Sequence, residues 1–323
     1  MATLNDVAKL ANVSKMTVSR VINHPEKVKE DLKELVYQAM REVDYHPNIA
    51  AKALVNNRTQ IIKFLILEDL DVAEPYYMKL LMGIAKTLSE KQYSLQLVTR
   101  NNIDVGNCDG FIVTGTRKSD LDWVKDFDKP VVLFGENHEG LDSVDIDNRE
   151  GTKFSAEYAL KLGYEHLIFI GLDREEAFEY AREAGYIETV QQRKIRPVIR
   201  RMSNHSHSSS NYISENWNKI KANTCFICGS DRLALGIERG IQLQGGKVPD
   251  DFGVIGFDGV FLDQIASPRL TTIKQPEVEM GAAVAEMIID KINQNNLPQG
   301  SRLFAPQLDV KGSTRKNVTD NTK

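Results

Sequence analysis

Cysteine is scarce in this sequence, which has only Cys108, Cys225 and Cys228 among its 323 residues. Three cysteines are too few for a disulfide framework in a chain of this length, and they fit a reducing compartment. The chain also has no apolar run as long as the roughly 18 residues of a membrane helix, and it opens with a polar segment, residues 1–10. We therefore expect no membrane span and no cleaved signal peptide, and we expect a cytoplasmic protein.

Catalytic and cofactor motifs are absent as well. No G-x-G-x-x-G motif follows a predicted strand, and neither an elbow serine nor a zinc-protease helix occurs, so the sequence predicts no enzyme, cofactor or metal site. Cys225 and Cys228 have C-x-x-C spacing, but residues i and i+3 of a strand face opposite sides, so one metal cannot bind both. We interpret His205 and His207, within residues 203–211, as part of a polar loop.

The composition is that of a globular protein, with 41% hydrophobic and 27% charged residues, and the length predicts two compact units plus a smaller one. The net charge of −4 is distributed unevenly. Residues 1–60 carry 9 Lys and Arg against 7 Asp and Glu, a net +2, which leaves 32 against 38, a net −6, for the rest. Because nucleic-acid binding depends on where the cations lie, the basic N-terminal segment is the candidate DNA-binding part.

The first 45 residues predict three short helices. Thr3 and Asp6 match a capping box for the first helix, Asn12 suits the tight turn that follows, and Ser14 can cap the second helix. The third helix spans about residues 30–43. Apolar residues at helical spacing form the predicted inner faces: Leu4, Val7, Ala8 and Ala11; Val18, Val21 and Ile22; Leu32, Leu35, Val36, Ala39 and Val43.

A short segment links these helices to the rest of the chain. Pro47 disfavours helical backbone in His46, and Asn48 can cap a new helix over residues 49–55. That helix is shorter than the roughly 12 to 15 residues that an isolated helix needs. We therefore expect it to fold only when a partner holds it.

From Ile61 the pattern changes to short apolar strands that alternate with amphipathic helices, which predicts parallel α/β sheets. The length of this part favours two lobes that face a cleft over one very large sheet. The predicted strands are 61–67, 94–99, 110–113, 131–134, 166–170, 225–228, 253–257 and 271–274, and the predicted helices are 76–91, 150–162, 177–192, 232–244 and 277–293.

The second helix carries side chains suited to reading DNA. Lys15, Met16 and Arg20 are predicted to face outward, where a helix-turn-helix presents side chains to the major groove. Arg and Lys suit guanine O6 and N7, and Met suits contact with a thymine methyl. The alternative is a solvated helix in a small structural domain.

The stretch LNDVAKLANVSKMTVSRVIN, followed by DYHPNIAAKAL, resembles the headpiece and hinge of the lactose/galactose repressor (LacI/GalR) family of bacterial regulators. The resemblance continues, in the family's order and spacing, through 182–186 (R-x-x-G-Y), 231–236, 256–258 and 268–273, and it covers about residues 2–316. One departure is Lys29, which stands before the third helix where family members carry Ser or Thr. Lysine offers no acceptor for free backbone N–H groups, which favours a helix start one or two residues away.

The resemblance implies a fold of the α/β class: a small all-α helix-turn-helix headpiece plus hinge helix, then a two-lobed periplasmic-binding-protein-like core of parallel sheets flanked by helices. The implied domains are a headpiece (1–45), a hinge helix and linker (46–60), an effector-binding and dimerisation core (61–316) and a polar tail (317–323). This tail lacks the leucine heptads of a tetramer-forming coiled coil, which predicts a dimer.

The family further implies a regulator, most often a repressor, that binds a pseudo-palindromic operator DNA as a homodimer. Its hinge helices would pair in the minor groove, with Leu54 as an apolar wedge that bends the duplex. The DNA-binding residues implied in this way are Thr3, Ser14, Lys15, Met16, Thr17, Ser19, Arg20, Asn23, Asn48, Ala51 and Leu54.

In the core, the resemblance implies a small-molecule effector, a sugar or sugar phosphate, between the lobes. Arg182 and Asp258 match the family's strongest effector contacts, and a guanidinium donor with a carboxylate acceptor suits ligand hydroxyls. The other candidates lie at strand ends or in the loops that follow, where ligands bind in open α/β sheets. The full implied set is Tyr76, Tyr77, Thr114, Asp147, Arg182, His205, Ser230 and Asp258.

Two other functions fit parts of the pattern. A sugar-binding component of an uptake system fits the core, but the N-terminal headpiece and the missing signal peptide favour a regulator. An α/β enzyme also fits the alternation of strands and helices, but the sequence offers no catalytic group to support it.

Overall fold

The computed structural model of the protein describes residues 2–23, 27–45, 58–68, 75–103 and 106–316. The chain divides into two compact units, Met1–Gln60 and Ile61–Lys323. The predicted hinge residues Asn48, Ala51 and Leu54 and the predicted tail 317–323 lie outside the described residues. Among the described residues, no helix is both long enough and apolar enough to cross a membrane.

The first unit contains helices α1 (Leu4–Leu10), α2 (Lys15–Asn23) and α3 (Glu30–Glu42). The Asp6 carboxylate accepts hydrogen bonds from the Thr3 N–H at 2.8 Å and from the Thr3 hydroxyl at 2.7 Å. The Ser14 hydroxyl accepts a bond from the Thr17 N–H at 3.0 Å, which confirms the predicted cap of α2. The turn between α1 and α2 has Asn12 in the left-handed region, with φ 51°, as predicted.

The third helix begins at Glu30, directly after Lys29, so the expected displacement of its start is wrong. The Lys29 side chain makes no capping bond. Glu30 and Asp31 lie in the first turn instead, where their negative charges complement the positive end of the helix dipole.

The core of this unit is a small apolar cluster whose buried members come from all three helices: Val7, Ala8, Ala11, Val18, Val21, Ile22, Val36 and Ala39. One predicted core residue, Leu35, is instead 46% exposed. Leu35 is turned about 100° around the helix from Val36, and Met40 packs against the cluster in its place.

The described residues of the second unit form two six-stranded sheets. Its strands are β1 (Ile61–Ile66), β2 (Ser94–Thr99), β3 (Gly110–Thr114), β4 (Val131–Phe134), β5 (Ser143–Ile146), β6 (His166–Leu172), β7 (Ile199–Met202), β8 (Thr224–Cys228), β9 (Phe252–Asp258), β10 (Thr271–Lys274), β11 (Ser301–Phe304) and β12 (Gln307–Asp309). The order of the first sheet is β11-β5-β4-β3-β1-β2, and that of the second is β12-β10-β9-β8-β6-β7. We call the parts around these sheets the N-lobe and the C-lobe.

Helices flank both sheets. They are α4 (Pro75–Glu90), α5 (Lys118–Lys125), α6 (Asn148–Lys161), α7 (Ala177–Gln192), α8 (Ser206–Asn216), α9 (Asp231–Leu243), α10 (Leu262–Ile265) and α11 (Glu277–Asn293). Helices α4 and α11 pack together on the N-lobe, whereas α6 packs on α7 and α8 on α9 in the C-lobe.

The strand pairs are parallel, apart from β10 with β12, which is antiparallel. This confirms the predicted two-lobed architecture of parallel sheets. Cys225 and Cys228 lie on β8 and are buried in different apolar clusters, because neighbouring strand positions alternate between the faces of the sheet.

The interpretation of residues 203–211 as a polar loop is wrong, because α8 begins at Ser206. The sequence of α8 is rich in serine, but the helix has a buried face formed by Ser209 and Ile213, one turn apart. The Ser209 hydroxyl donates to the Leu233 carbonyl at 2.9 Å, so packing against α9 stabilises a helix that local propensity does not indicate.

Within residues 106–316 the chain crosses between the lobes three times. The crossings lie between β5 and α6, between β10 and α11, and between β11 and β12. Parallel strands in both sheets direct their carboxyl ends to the cleft between the lobes, which is where ligands bind in open α/β folds.

Candidate functional site

The outward face of α2 is the candidate DNA-reading surface. Val18 and Val21 are fully buried in the headpiece core, which turns Lys15, Met16 and Arg20 toward solvent. Met16 is 73% exposed, so most of the surface of this apolar side chain is available to a partner.

The remaining predicted headpiece residues surround this face. Ser14 and Thr17 share a hydrogen bond between their hydroxyls at 2.8 Å at the start of α2, and Ser19 is half-buried. Thr3 lies at the start of α1, bonded to Asp6. Asn23 is the last residue of α2, and its side chain is outside the described part of the chain.

The second candidate site is the interlobe cleft of the larger unit. It contains about 840 Å³ of empty space, a volume that includes open solvent at its mouth. Its lining comes from both lobes: Glu68, Tyr76, Tyr77, Thr114, Gly115, Thr116, Phe134, Gly135, Glu136, Asp145, Leu172, Arg174, Glu176, Ala177, Phe178, Arg182, Asn204, Gly229, Ser230, Asp258 and Gln275.

Arg182 lies at the floor of the cleft and is only 6% exposed. Its guanidinium donates to the Asn148 side-chain oxygen at 2.8 Å and to the Gly229 carbonyl at 2.5 Å. The same group lies 3.7 Å from the ring centre of Phe257 and 4.8 Å from that of Phe178. This cation is therefore fixed in position by both hydrogen bonds and aromatic stacking.

The close approach of α6 and α7 brings Arg182 to Asn148. A Cβ atom on Gly185, one turn after Arg182, would lie 2.1 Å from the Arg149 carbonyl oxygen. Only glycine allows this contact, so the packing of the two helices fixes where the guanidinium enters the cleft.

Asp258, the last residue of β9, faces Arg182 across 3.8 Å. Its backbone has φ 117°, an unfavourable value for a residue with a side chain and a sign of local strain. The Asp231 carboxylate holds the turn that follows by accepting the N–H groups of Gly259 at 3.0 Å and Val260 at 3.1 Å. Buried hydrogen bonds thus maintain the unusual conformation that presents Asp258.

Two chains of polar contacts join the lobes across the cleft. In the first, the Tyr76 hydroxyl donates to the Gln275 side-chain oxygen at 3.2 Å, and the Gln275 amide donates to Asp258 at 2.9 Å. In the second, Glu68 accepts hydrogen bonds from both Tyr77 and Arg174. Glu68 and both tyrosines belong to the N-lobe, whereas Arg174 and Asp258 belong to the C-lobe.

Two further carboxylates of the lining have raised pKa values. Burial raises the pKa of Asp145 to about 7, although the Ile146 N–H bonds it and Arg182 is near. Burial, followed by the charge of Glu68, raises the pKa of Glu176 to about 7. Buried carboxylates of this kind gain from ligand groups that donate hydrogen bonds.

The structure brings six of the eight predicted effector residues into the cleft: Tyr76, Tyr77, Thr114, Arg182, Ser230 and Asp258. Asp147 and His205 do not line it. Asp147 caps α6, where its side chain accepts the Glu150 N–H at 2.9 Å. His205 is exposed beside His207, with ring centres 5.1 Å apart, and the preceding Asn204 lines the cleft and accepts a bond from Ser230 at 2.7 Å.

Several lining residues were not predicted, although their position just after the carboxyl end of a strand identifies them. Glu68, Glu136, Arg174 and Asn204 each lie two residues after the end of a strand, and Gln275 lies one residue after β10. Applying the carboxyl-end rule to every predicted strand would have found those that follow β1, β4, β6 and β10. Asn204 and Asp145 needed β7 and β5, which were not predicted.

The chain matches two family models. Residues 3–48 match "Bacterial regulatory proteins, lacI family", and residues 156–314 match "Periplasmic binding protein-like domain".

Curated proteins match along nearly the whole chain. The HTH-type transcriptional regulator YvdE of Bacillus subtilis (strain 168) is 51% identical over 315 residues, which cover 97% of this chain and 100% of that protein. The HTH-type transcriptional repressor CytR of Escherichia coli (strain K12) is 28% identical over 333 residues, covering 97% and 96% of the two chains.

Solved structures show the same fold. A Lac repressor dimer bound to operator and the anti-inducer ONPF superposes with a TM-score of 0.76 at 23% identity, over 97% of this chain and 99% of that one. A complex of the transcriptional regulator CelR with cellobiose has a TM-score of 0.72 at 24% identity, over 97% and 100%. The headpiece, the two-lobed core and the full-length similarity to YvdE show that this chain belongs to the LacI family of DNA-binding transcriptional regulators, which are not enzymes, with a periplasmic-binding-protein-like effector domain.

Proposed function

We propose that the protein is a repressor of sugar-utilisation genes that binds a pseudo-palindromic operator as a homodimer and responds to a small sugar-like effector in the interlobe cleft. The observation that carries the proposal is the polar chain from Tyr76 through Gln275 to Asp258. It joins the two lobes at the cleft, so a ligand that competes for these groups changes how the lobes are held together.

The chemistry of the cleft supports a polyhydroxylated ligand. Fixed donors on Arg182 and acceptors on Asp258 complement hydroxyl groups, each of which both donates and accepts. Tyr76, Phe134 and Phe178 add apolar surface for the faces of a ring.

Related proteins also support it. Solved structures similar in fold include a complex of CelR with cellobiose and a LacI-family regulator from Enterococcus faecium with bound ribose. The E. faecium regulator has a TM-score of 0.69 at 21% identity and covers 78% of this chain. We extend the ligand class, sugars, to this chain. We do not extend cellobiose or ribose individually.

The proposed link to DNA is the hinge, residues 46–60. A helix over residues 49–55 is too short to persist alone, so operator DNA and the second protomer would order it. An effector that moves the lobes, and with them the paired hinges, would weaken this ordering and release DNA. The implied wedge, Leu54, acts in the same step by bending the duplex.

The DNA half of the proposal is tested by selecting binding sites from random duplex DNA with the full chain. The selected site should be pseudo-palindromic, and a chain that starts at Ile61 should not bind it. Arg20→Ala should weaken binding by about 5- to 150-fold and relax preference at one base pair. Arg58→Ala is the comparison, because it should at most weaken binding to all sequences equally. Equal retention of the site by the shortened chain contradicts the proposal.

The effector half is tested by thermal unfolding of the full chain with a panel of sugars and sugar phosphates, repeated with the selected DNA. A sugar that raises the unfolding temperature and releases DNA supports an inducer of a repressor. A sugar that binds and strengthens DNA binding contradicts induction and indicates a corepressor. Binding of the sugar without any change in DNA affinity contradicts effector control.

A further inference from the structure

The cleft lining is strongly acidic. Of the described residues that line it, Glu68, Glu136, Asp145, Glu176 and Asp258 carry carboxylates, and we call these five the acidic set. Arg174 and Arg182 supply the positive charge among the same residues. With every group ionised, the lining carries a net charge of −3, from five carboxylates and two guanidinium groups.

Both arginines already face carboxylates of this set. Arg174 binds Glu68 and lies 3.6 Å from Glu176. Arg182 lies 3.8 Å from Asp258, and its N–H groups also bond Asn148 and Gly229. An incoming anion would have to compete with these partners for either cation.

Among the described residues, neither of the two remaining carboxylates has a lysine or arginine partner of comparable closeness. The Glu136 carboxylate lies 3.6 Å from Nε2 of His138, an exposed imidazole that is a cation only when protonated. Glu136 is half-buried, and burial raises its pKa. Asp145 is 6% exposed and accepts hydrogen bonds from the Ile146 N–H at 2.7 Å and the Asn148 amide at 2.9 Å. These donors are neutral, and the cation that acts on Asp145, Arg182, already faces Asp258 at 3.8 Å.

We propose that the effector of this protein is an uncharged sugar and that the acidic set excludes phosphorylated sugars from the cleft. The inference rests on the proposed function and narrows its effector class. A phosphate ester carries about −1.5 to −2 charges at neutral pH, and close like charges in a desolvated site strongly oppose binding. Neutral hydroxyl groups, in contrast, donate hydrogen bonds to these same carboxylates.

The titration of the acidic set agrees with the exclusion of phosphorylated sugars. Burial raises the pKa of both Asp145 and Glu176 to about 7, and a bound anion would raise both values further. Binding of a phosphate ester would then be coupled to proton uptake by these carboxylates, whereas binding of a neutral sugar would not.

The test is calorimetric titration of the full chain with neutral mono- and disaccharides, including ribose and cellobiose, and with the phosphate ester of each. At least one neutral sugar should bind, and its ester should bind at least about 100-fold more weakly. Inorganic phosphate alone should not change the unfolding temperature at millimolar concentration. An ester that binds as tightly as its neutral sugar overturns the inference and leaves the proposed function intact. Failure of both classes to bind overturns the proposed function itself.

Charge-neutral variants show whether the acidic set causes the selection. Glu136→Gln and Glu176→Gln should each reduce the preference for the neutral sugar over its ester by about tenfold, because each removes one opposing charge. Glu139→Gln is the matched control. Glu139 is an exposed neighbour of Glu136 that pairs with Lys125 and does not line the cleft. If the preference for the neutral sugar in both cleft variants is as large as in the Glu139→Gln control, the acidic set does not cause the selection.

Discussion

Replacing Asp258 by asparagine removes one charge from the cleft with little other change. Asparagine has nearly the same size and shape as aspartate, so it can occupy the same backbone conformation, with φ 117°. Its side-chain oxygen can still accept the Gln275 amide, which lies 2.9 Å from Asp258. The charge facing Arg182 at 3.8 Å is lost.

The expected loss of effector affinity follows from the hydrogen bonds that the carboxylate would make. A bond to an ionised acceptor contributes about 1.5 to 3 kcal/mol, roughly twice a neutral bond. Exchanging the charged for a neutral acceptor loses about half of each contribution, so two such bonds together lose about 1.5 to 3 kcal/mol, or about 10- to 150-fold in Kd. Folding should not suffer, because burial and then the charge of Asp258 raise the pKa of Asp231, and removing the Asp258 charge relieves that repulsion.

The assay pairs calorimetric titration with thermal unfolding, using the neutral sugar that stabilises the unmodified protein most. Asp250→Asn is the matched control, since it makes the same change at an exposed position just before β9. Asp258→Asn should bind the sugar at least about tenfold more weakly and unfold at or above the temperature of the control. An affinity within twofold of the control would refute the assignment of Asp258 to the ligand.

Three further predictions concern the headpiece, the titration of the cleft and the contact between the lobes. Ser14→Ala should destabilise α2 by about 1 kcal/mol, since the Ser14 hydroxyl accepts the Thr17 N–H; unchanged hydrogen exchange of the α2 amides would contradict this. Because burial raises the pKa of Asp145 to about 7 from an ordinary 3.8, its contribution to stability is present below about pH 4 and is lost as the pH rises through 7. Asp145→Asn should therefore flatten the fall in unfolding temperature between about pH 4 and 7 and regain at most about 4 kcal/mol at the upper end, whereas parallel pH profiles would show that Asp145 titrates normally. Arg174→Ala should move the lobes apart in the sugar-free protein, because it removes the bond to Glu68, and X-ray scattering would measure this separation. Arg201→Ala is the control, because it breaks a pair with Glu183 inside the C-lobe and should leave the lobes in place. Equal scattering from both variants would show that the contact between Arg174 and Glu68 does not hold the lobes together.

Most of the strands that were predicted from the sequence are central ones, and the exception is β2, at the edge of the N-lobe sheet. Strands such as β3 and β8 are buried along their whole length, so they appear as continuous apolar runs of the kind that parallel sheets require. The strands that were missed include β7 (IRRM) and β11 (SRLF), whose exposed positions include arginines. They lie at sheet edges or near the lobe crossings, where partners distant in sequence decide the pairing.

Contacts between residues distant in sequence also decide which side chains line the cleft. Arg182 and Asp258 were predictable because a motif and a strand end mark them, and both lie in the cleft. Asp147 appeared equivalent to its neighbours in sequence, but the need to cap α6 directs its side chain to the Glu150 N–H. Asp145 is two residues earlier, on a strand too short and polar to be recognised, although the structure places it in the lining.

The central claim is that one ligand in the cleft controls DNA binding by the headpiece. Its most direct test is the affinity of the full chain for its selected operator, measured with and without a saturating neutral sugar. A repressor with an inducer should bind the operator about 5- to 150-fold more weakly when the sugar is bound, and the operator should weaken sugar binding by the same factor. Equal operator affinity with and without a sugar that demonstrably occupies the cleft would contradict the account.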